Sequence, residues 1–275
     1  MKTLTAAMIA GLSLMSAGVS VPVIAQAAAP ASPLADPGRP SNDVARDAAR
    51  KPLELAAFAG IKAGDRVVDL IPGGGYFTFV FSGIVGPTGH VYATVPAPAK
   101  DYMAKLTAVV EGWAASHPNT SVVISSGGFA PPDGPVDLIW TAQNYHDLYN
   151  PMGPSSGPPN LLPINKAIFA ALKPGGVYLI VDHSAPAGSG TADTKTLHRI
   201  DEAVVRKDVE AAGFVFEGSS DLLRNPADPL TALVFDPSIR GKTDQFVLKF
   251  RKPKEEARPS RRAVPALLRM TKVGG

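Results

Sequence analysis

The sequence predicts an α/β fold: a seven-stranded, mostly parallel sheet with helices on both faces and an antiparallel last strand. Three observations predict it. Short apolar runs alternate with stretches of helical period from residue 66 to residue 212. A glycine run, Gly73-Gly74-Gly75, stands where the first apolar run gives way to a helix. The last two runs, 214–217 and 245–251, have no full helix between them, so their simplest pairing is antiparallel.

Ahead of the sheet the chain reads as an export signal. Lys2 supplies a positive start, no residue from Leu4 to Ala25 is charged, and the apolar centre Ala6–Met15 is short. Ser16, Gly18, Ser20 and Pro22 dilute the stretch after that centre, whereas a membrane span needs about 20 strongly apolar residues. Ala25-Gln26-Ala27 has the small-x-small form of a cleavage site. Residues 1–27 are thus expected to be removed, leaving 248 residues in the periplasm or medium, with no stable membrane insertion. That length suffices for one large core.

An Ala/Pro-rich flexible leader is expected over 28–41. Ser41 or Asn42 then caps a helix to about Phe58, which Pro52 interrupts. Strands follow at 66–71, 90–95, 121–125, 136–141 and 177–182. Helices are expected from Tyr76, over 99–115 (Met103, Leu106, Val110 and Trp113 at helical spacing), over 162–172 and over 194–212. Lys173-Pro174-Gly175-Gly176 ends the third of these, and 150–163 reads as a Pro/Gly-rich surface loop. The globular domain spans 42–252, and 253–275 form a basic, disordered tail.

Composition narrows the function. There is no cysteine, which removes a lipid-anchored start, disulfides, thiolate metal sites and a cysteine nucleophile. The net charge is +3, but eight basic and two acidic residues put +6 in Arg251–Gly275; with Lys2 set aside, the body carries −4. An acidic body with a basic tail is poor evidence for a nucleic-acid enzyme, and the expected partner is a small-molecule substrate.

Glycines at a strand-to-helix turn let the backbone bend sharply and let a ligand approach. The helix start behind them favours anionic or polar groups. A nicotinamide fingerprint fits poorly, because Thr78 stands where its third glycine belongs, and no Gly-Lys-Ser/Thr follows to make a P-loop. The wider pattern resembles the class I S-adenosylmethionine-dependent methyltransferases. Four segments carry the resemblance: Val67-Val68-Asp69-Leu70 before Gly73-Gly74-Gly75, Val136-Asp137-Leu138-Ile139, Leu172-Lys173-Pro174-Gly175-Gly176, and the closing strand pair. The segments NYHDL, VDHSAPAGSG, TLHRID and GKTDQFVLKF are similar to a group of exported, predicted bacterial methyltransferases. The resemblance implies a Rossmann-like fold and S-adenosylmethionine held by Asp69, Gly73, Gly74, Gly75 and Tyr76. It also shows departures. Ile71 takes the place of the first glycine, Val95 or Thr94 that of the ribose-binding carboxylate, and Ser125 that of an acid near the adenine.

Two polar groups end neighbouring strands: Asn144-Tyr145-His146-Asp147 after the fourth, and Asp182-His183 at the fifth. His146 and His183 are candidate bases, with Tyr145 to stack on or bond the acceptor and Asn144 and Asp147 to hold it. The alternative is a structural hydrogen-bond network. No His-x-x-x-His spacing occurs, so metal is the weaker reading and none is expected. His198 and Arg199, on the expected helix 194–212, either bind an anionic substrate or pair on the surface with Asp201 and Glu202. Arg224 and Arg240 flank the closing link and either bind an anion or form ion pairs. The expected activity is methyl transfer to an unidentified acceptor outside the cytoplasm. The alternative is a binding or scaffold protein that kept the fold and lost the cofactor.

Overall fold

A computed structural model describes residues 32–97, 101–125, 129, 134–150 and 160–254, all within one compact unit, Ser32–Gly275. The expected signal peptide and the tail beyond Lys254 lie outside the described residues. Among those described, no helix is long and apolar enough to cross a membrane.

Seven strands form one sheet: β1 (Arg66–Leu70), β2 (His90–Pro96), β3 (Thr120–Ser125), β4 (Val136–Ala142), β5 (Leu172–His183), β6 (Val215–Ser220) and β7 (Gln245–Arg251). Their order is β3-β2-β1-β4-β5-β7-β6, with every pairing parallel except those of β7. The chain winds outwards from β1 to β3, then returns to lay β4 against the other side of β1. That reversal makes a crevice at the carboxyl ends of β1 and β4, where open α/β sheets bind ligands.

Strand alternation divides the core between two faces. Val68, Leu70, Ile139, Tyr178, Ile180 and Leu248 pack with Ile168 of α6 (Leu162–Ala171) and with Val205 and Val209 of α7 (Glu202–Ala211). Val67, Leu138, Trp140, Leu179 and Val247 pack on the opposite face with Leu55 of α3 (Pro52–Ala59) and Phe77, Val80 and Phe81 of α4 (Tyr76–Val85). Helix α5 (Asp101–Ser116) buries Val110 and Trp113, but Leu106 stays exposed.

Several boundaries differ from expectation. The helix expected to start at residue 41 or 42 is three short ones: α1 (Ser41–Val44), α2 (Asp47–Arg50) and α3. Lys51, at φ 45°, breaks the run before Pro52, and no side chain caps α1. Strand β5 begins at Leu172, which pairs with Val136; Lys173–Gly176 bulge out before the ladder resumes at Val177 opposite Leu138. Helix α7 starts at Glu202, not Thr194, because Ile200 bridges Ser184 in extended backbone and the Asp201 carboxylate caps Ala203 N–H at 2.9 Å.

The leader expected over 28–41 is docked from Ser32 onward. Arg39 is buried and makes a two-pronged pair with Asp47 at 2.7 and 2.8 Å. Asp36 meets His117 at 2.9 Å, and Pro33 lies where a side chain on Gly83 would be.

Candidate active site

The β1 turn is built from left-handed backbone. Ile71 (φ 57°), Gly73 (φ 58°) and Gly75 (φ 87°) carry the chain from strand to helix, and Ile71 N–H donates to the Thr94 carbonyl at 2.9 Å. Ile71 is therefore left-handed, a conformation that a β-branched residue rarely adopts. The two glycines do different work. A Cβ on Gly75 would fall 2.5 Å from the Phe79 ring, so its lack of a side chain serves packing. A Cβ on Gly73 would meet nothing within 4 Å, so the backbone there faces open space.

Around this turn lie groups with unused capacity. The Thr94 hydroxyl is buried and has no partner among the described residues. Arg50 lies over the Tyr76 ring at 4.2 Å and the Phe77 ring at 4.7 Å, and no described residue gives it a hydrogen bond or ion pair. Burial, then repulsion from Arg46, pulls its pKa down to about 10, so it stays charged at neutral pH. The Tyr76 hydroxyl is committed to Asp47 at 2.7 Å. Asp69 is buried beneath the turn and accepts from the Thr78 hydroxyl at 2.7 Å. Burial pushes its pKa up to about 6, with the Thr78 bond opposing. Asp69 thus ties α4 to β1 from below.

The end of β4 is fastened to the same turn. Gln143 is left-handed (φ 63°), and the Asn144 side chain donates to the Ile71 carbonyl at 2.9 Å. Tyr145 turns into the core, its hydroxyl bonded to Asn165 at 2.9 Å. His146 is buried against Asp182. Its backbone N–H donates to one carboxylate oxygen at 2.7 Å, and Nδ1 lies 2.8 Å from the other. Asp182 also accepts from His183 N–H at 2.8 Å. An acceptor at Nδ1 fixes the neutral His146 as the Nδ1–H tautomer and turns the Nε2 lone pair outward.

The two candidate bases sit together, their rings 6.1 Å apart, with opposite electrostatics. Burial lowers the His146 pKa, but the charge and hydrogen bond of Asp182, with Asp147 behind them, outweigh it and the net shift is upward. For Asp182, burial raises the pKa, and the attraction of His146 reverses the sign. Burial pushes His183 down to about 4, and the attraction of Asp182 does not offset it. His183 Nδ1 lies 2.8 Å from the Thr243 hydroxyl.

The residues after β5 depart most from expectation. His198 is not on a helix: it is left-handed (φ 55°), and its Nδ1 lies 3.1 Å from His146 Nε2. Asp147 Oδ1 is 3.3 Å from that Nε2 and 3.4 Å from His198 Nδ1. Arg199 forms no surface pair with Glu202. It is wholly buried, bidentate to Asp228 at 2.9 and 3.1 Å, and donates to the carbonyls of Ser184 and Ala232 at 2.9 Å. Glu202 pairs with Arg224, which also reaches Asp244 at 3.1 Å. The apolar spacing of Leu197, Ile200 and Val204 mimics a helix here. The contrary signal was Asp201-Glu202, a capping residue followed by an acid. Nothing in the sequence singles out Arg50.

Comparison with known proteins gives the architecture its relatives. The chain is similar to a SAM-dependent methyltransferase from Aquifex aeolicus, at 20% identity and TM-score 0.51, over 75% of this chain and 98% of that one. It is also similar to the [4+2]-cyclase SpnF, at 16% identity and TM-score 0.54, over 75% of this chain and 81% of that one. This is a Rossmann-like methyltransferase fold. At such identities the likeness is one of fold, and a cyclase among the neighbours shows that the fold does not fix the reaction. No family model matches the sequence, and no curated protein does.

Proposed function

We propose that this chain transfers a methyl group from S-adenosylmethionine to an oxygen or nitrogen of a small molecule, outside the cytoplasm. The observation that carries the reading is the open β1 turn. Gly73 faces open space there, the Thr94 hydroxyl lies at the end of the neighbouring β2 with no partner among the described residues, and Arg50 lies over the rings of Tyr76 and Phe77 at the start of α4 with no hydrogen bond or ion pair to a described residue. S-adenosylmethionine, a nucleoside joined through sulfur to an amino acid, needs backbone approach, a polar contact and a partner for its carboxylate, and these three features fit it. Gly73 would take the backbone approach, Thr94 a polar contact and Arg50 the carboxylate, with Gly74 and Gly75 shaping the turn by packing and Asp69 and Tyr76 holding it.

S-adenosylmethionine supplies a methyl group on a sulfonium, ready for in-line displacement. The chain's own task is to hold the acceptor in line and take its proton. Asn144 locks the β4 end to the turn. His146, oriented by Asp182, presents Nε2 to accept that proton, and Asp147 and His198 border the same point. Export is inferred from Lys2, the uncharged stretch and Ala25-Gln26-Ala27.

Calorimetry of the purified chain with S-adenosylmethionine and S-adenosylhomocysteine tests the reading. Both are expected to bind, and Thr94→Val, which removes one hydroxyl, is expected to weaken both without loss of fold. Once an acceptor is known, His146→Ala is expected to lower turnover by about 10²–10⁴-fold. One observation favours a second reading: Val95 and Ser125 stand where carboxylates would hold the nucleoside. If wild type gives no heat with either compound at millimolar concentration, the chain is a binding or scaffold protein on this fold.

A further inference from the structure

The geometry points to a metal site: we propose that His146 Nε2, Asp147 Oδ1 and His198 Nδ1 bind one divalent transition-metal ion. The three atoms lie 3.1, 3.3 and 3.4 Å apart. Bonds of about 2.1 Å meeting at roughly 90–109° separate neighbouring ligand atoms by about 3.0–3.4 Å, so the three separations match those around one ion.

Hydrogen bonding alone serves this cluster poorly. Asp182 accepts a hydrogen bond from the Nδ1–H of His146, so the neutral ring presents a lone pair at Nε2. A neutral His198 offers one proton at Nδ1, and the Asp147 carboxylate offers none. Three electron-rich atoms would share one proton, whereas a cation at their centre satisfies all three.

Two further features belong to a metal site. Asp182 is wholly buried and bonds the far nitrogen of His146, the arrangement in which a carboxylate fixes the tautomer and raises the basicity of a ligand imidazole. His198 holds its ring in place from left-handed backbone (φ 55°), packed on Phe235 at 5.0 Å between centroids. A non-glycine residue in that conformation is strained, and such strain gathers where a side chain must be aimed. Exposure completes the picture. His146 is 2% exposed, but Asp147 and His198 are 45% and 30% exposed, so an ion can enter and retain open positions.

The donors select the ion. Two imidazoles and one carboxylate suit zinc, iron(II) or cobalt(II), and leave magnesium and calcium short of oxygen ligands. The inference does not rest on the methyl-transfer reading. With an ion bound, it reassigns Nε2 from proton acceptor to ligand.

The test uses the purified, tag-free full chain, stripped with chelator and titrated with Zn²⁺ by calorimetry and with Co²⁺ by visible absorption. One ion per chain is expected, with Co²⁺ developing the d–d bands of a nitrogen–oxygen site. His198→Gly, which accepts the left-handed backbone, should lower affinity by about 100-fold or more while the metal-free melting curve holds or improves. Asp147→Asn, at an exposed position, should lower it by about 10-fold or more, and Asp182→Asn by about 10–100-fold. No stoichiometric binding by wild type, or binding that His198→Gly and Asp147→Asn leave unchanged, overturns the site. No cofactor is present in these titrations, so their failure leaves methyl transfer standing, and a silent cofactor titration leaves the metal site standing.

Discussion

Two imidazoles with ring centres 6.1 Å apart, pushed in opposite directions, give this protein a signed dependence on pH. His183 titrates near 4 when folded and near 6.5 when free, so the unfolded chain binds the extra proton between those values. The stability it contributes is present above pH 6.5 and is lost as pH falls towards 4, by up to about 3 kcal/mol. His146 is raised, so its contribution runs the other way and fades as pH rises through its folded value. Urea unfolding in chelator should show wild type losing stability between pH 6.5 and 4.5, and His183→Gln should flatten that limb. An unchanged limb would place the titrating group elsewhere. The turn glycines make a second contrast. Gly75→Ala combines left-handed strain with overlap on Phe79 and should cost about 2–4 kcal/mol, whereas Gly73→Ala should cost only the strain, about 1–2 kcal/mol.

Among elements, the stretch between β5 and α7 does the most with the least regular structure. It delivers His198 to His146 and buries Arg199, whose pair with Asp228 pins the 228–232 loop to the end of β5. Arg199→Met should leave the Asp228 charge buried and unpaired, and should lower unfolding free energy by about 3–5 kcal/mol. An intact melting curve with altered ligand binding would instead return Arg199 to the substrate site. The sequence made the seven strands legible because runs such as RVVDL and VDLIWTA bury alternate residues on two packed faces. It also brought His146 near Asp182, since both lie at the ends of strands that pair in the expected order. It hid His198, because the helical apolar spacing of Leu197, Ile200 and Val204 does not need a helix: Ile200 reaches the core from extended backbone and Val204 from α7. It hid the start of β5 too: Pro174-Gly175-Gly176 has the composition of a turn, yet it is a bulge within the strand, where Gly175 N–H and the Gly176 carbonyl both bond Lys252.

At the scale of the whole molecule, the boundaries of the stable unit can be tested against those of export. The small-x-small site predicts a mature start at Ala28, to be read by mass spectrometry of the exported protein; an intact Met1 would sink it. Cleavage there removes no described contact. Trimming further does, because Ser32–Pro40 is part of the packed body. Arg39, buried in full, bonds Asp47 twice and the Leu34 carbonyl at 3.2 Å, and Asp47 in turn accepts from the Tyr76 hydroxyl beside the glycine turn. Losing Arg39 leaves Asp47 without its cation and Tyr76 with a less anchored partner. Asp36 and Pro33 lose their contacts with His117 and Gly83 at the same time. A chain beginning at Asn42 should therefore be about 2–3 kcal/mol less stable than one beginning at Ala28, since hydrogen bonds to charged groups each contribute about that much. It should also bind S-adenosylhomocysteine more weakly, because α2 carries both Asp47 and Arg50. Removing residues 255–275 gives the contrasting case. Every described contact survives, including the Lys254 methylenes against Gly175, so the melting temperature should move little. Equal stability for the chains starting at Ala28 and Asn42 would mean that the leader only rests on the surface, and Asp47 would then have to hold Tyr76 without help from Arg39.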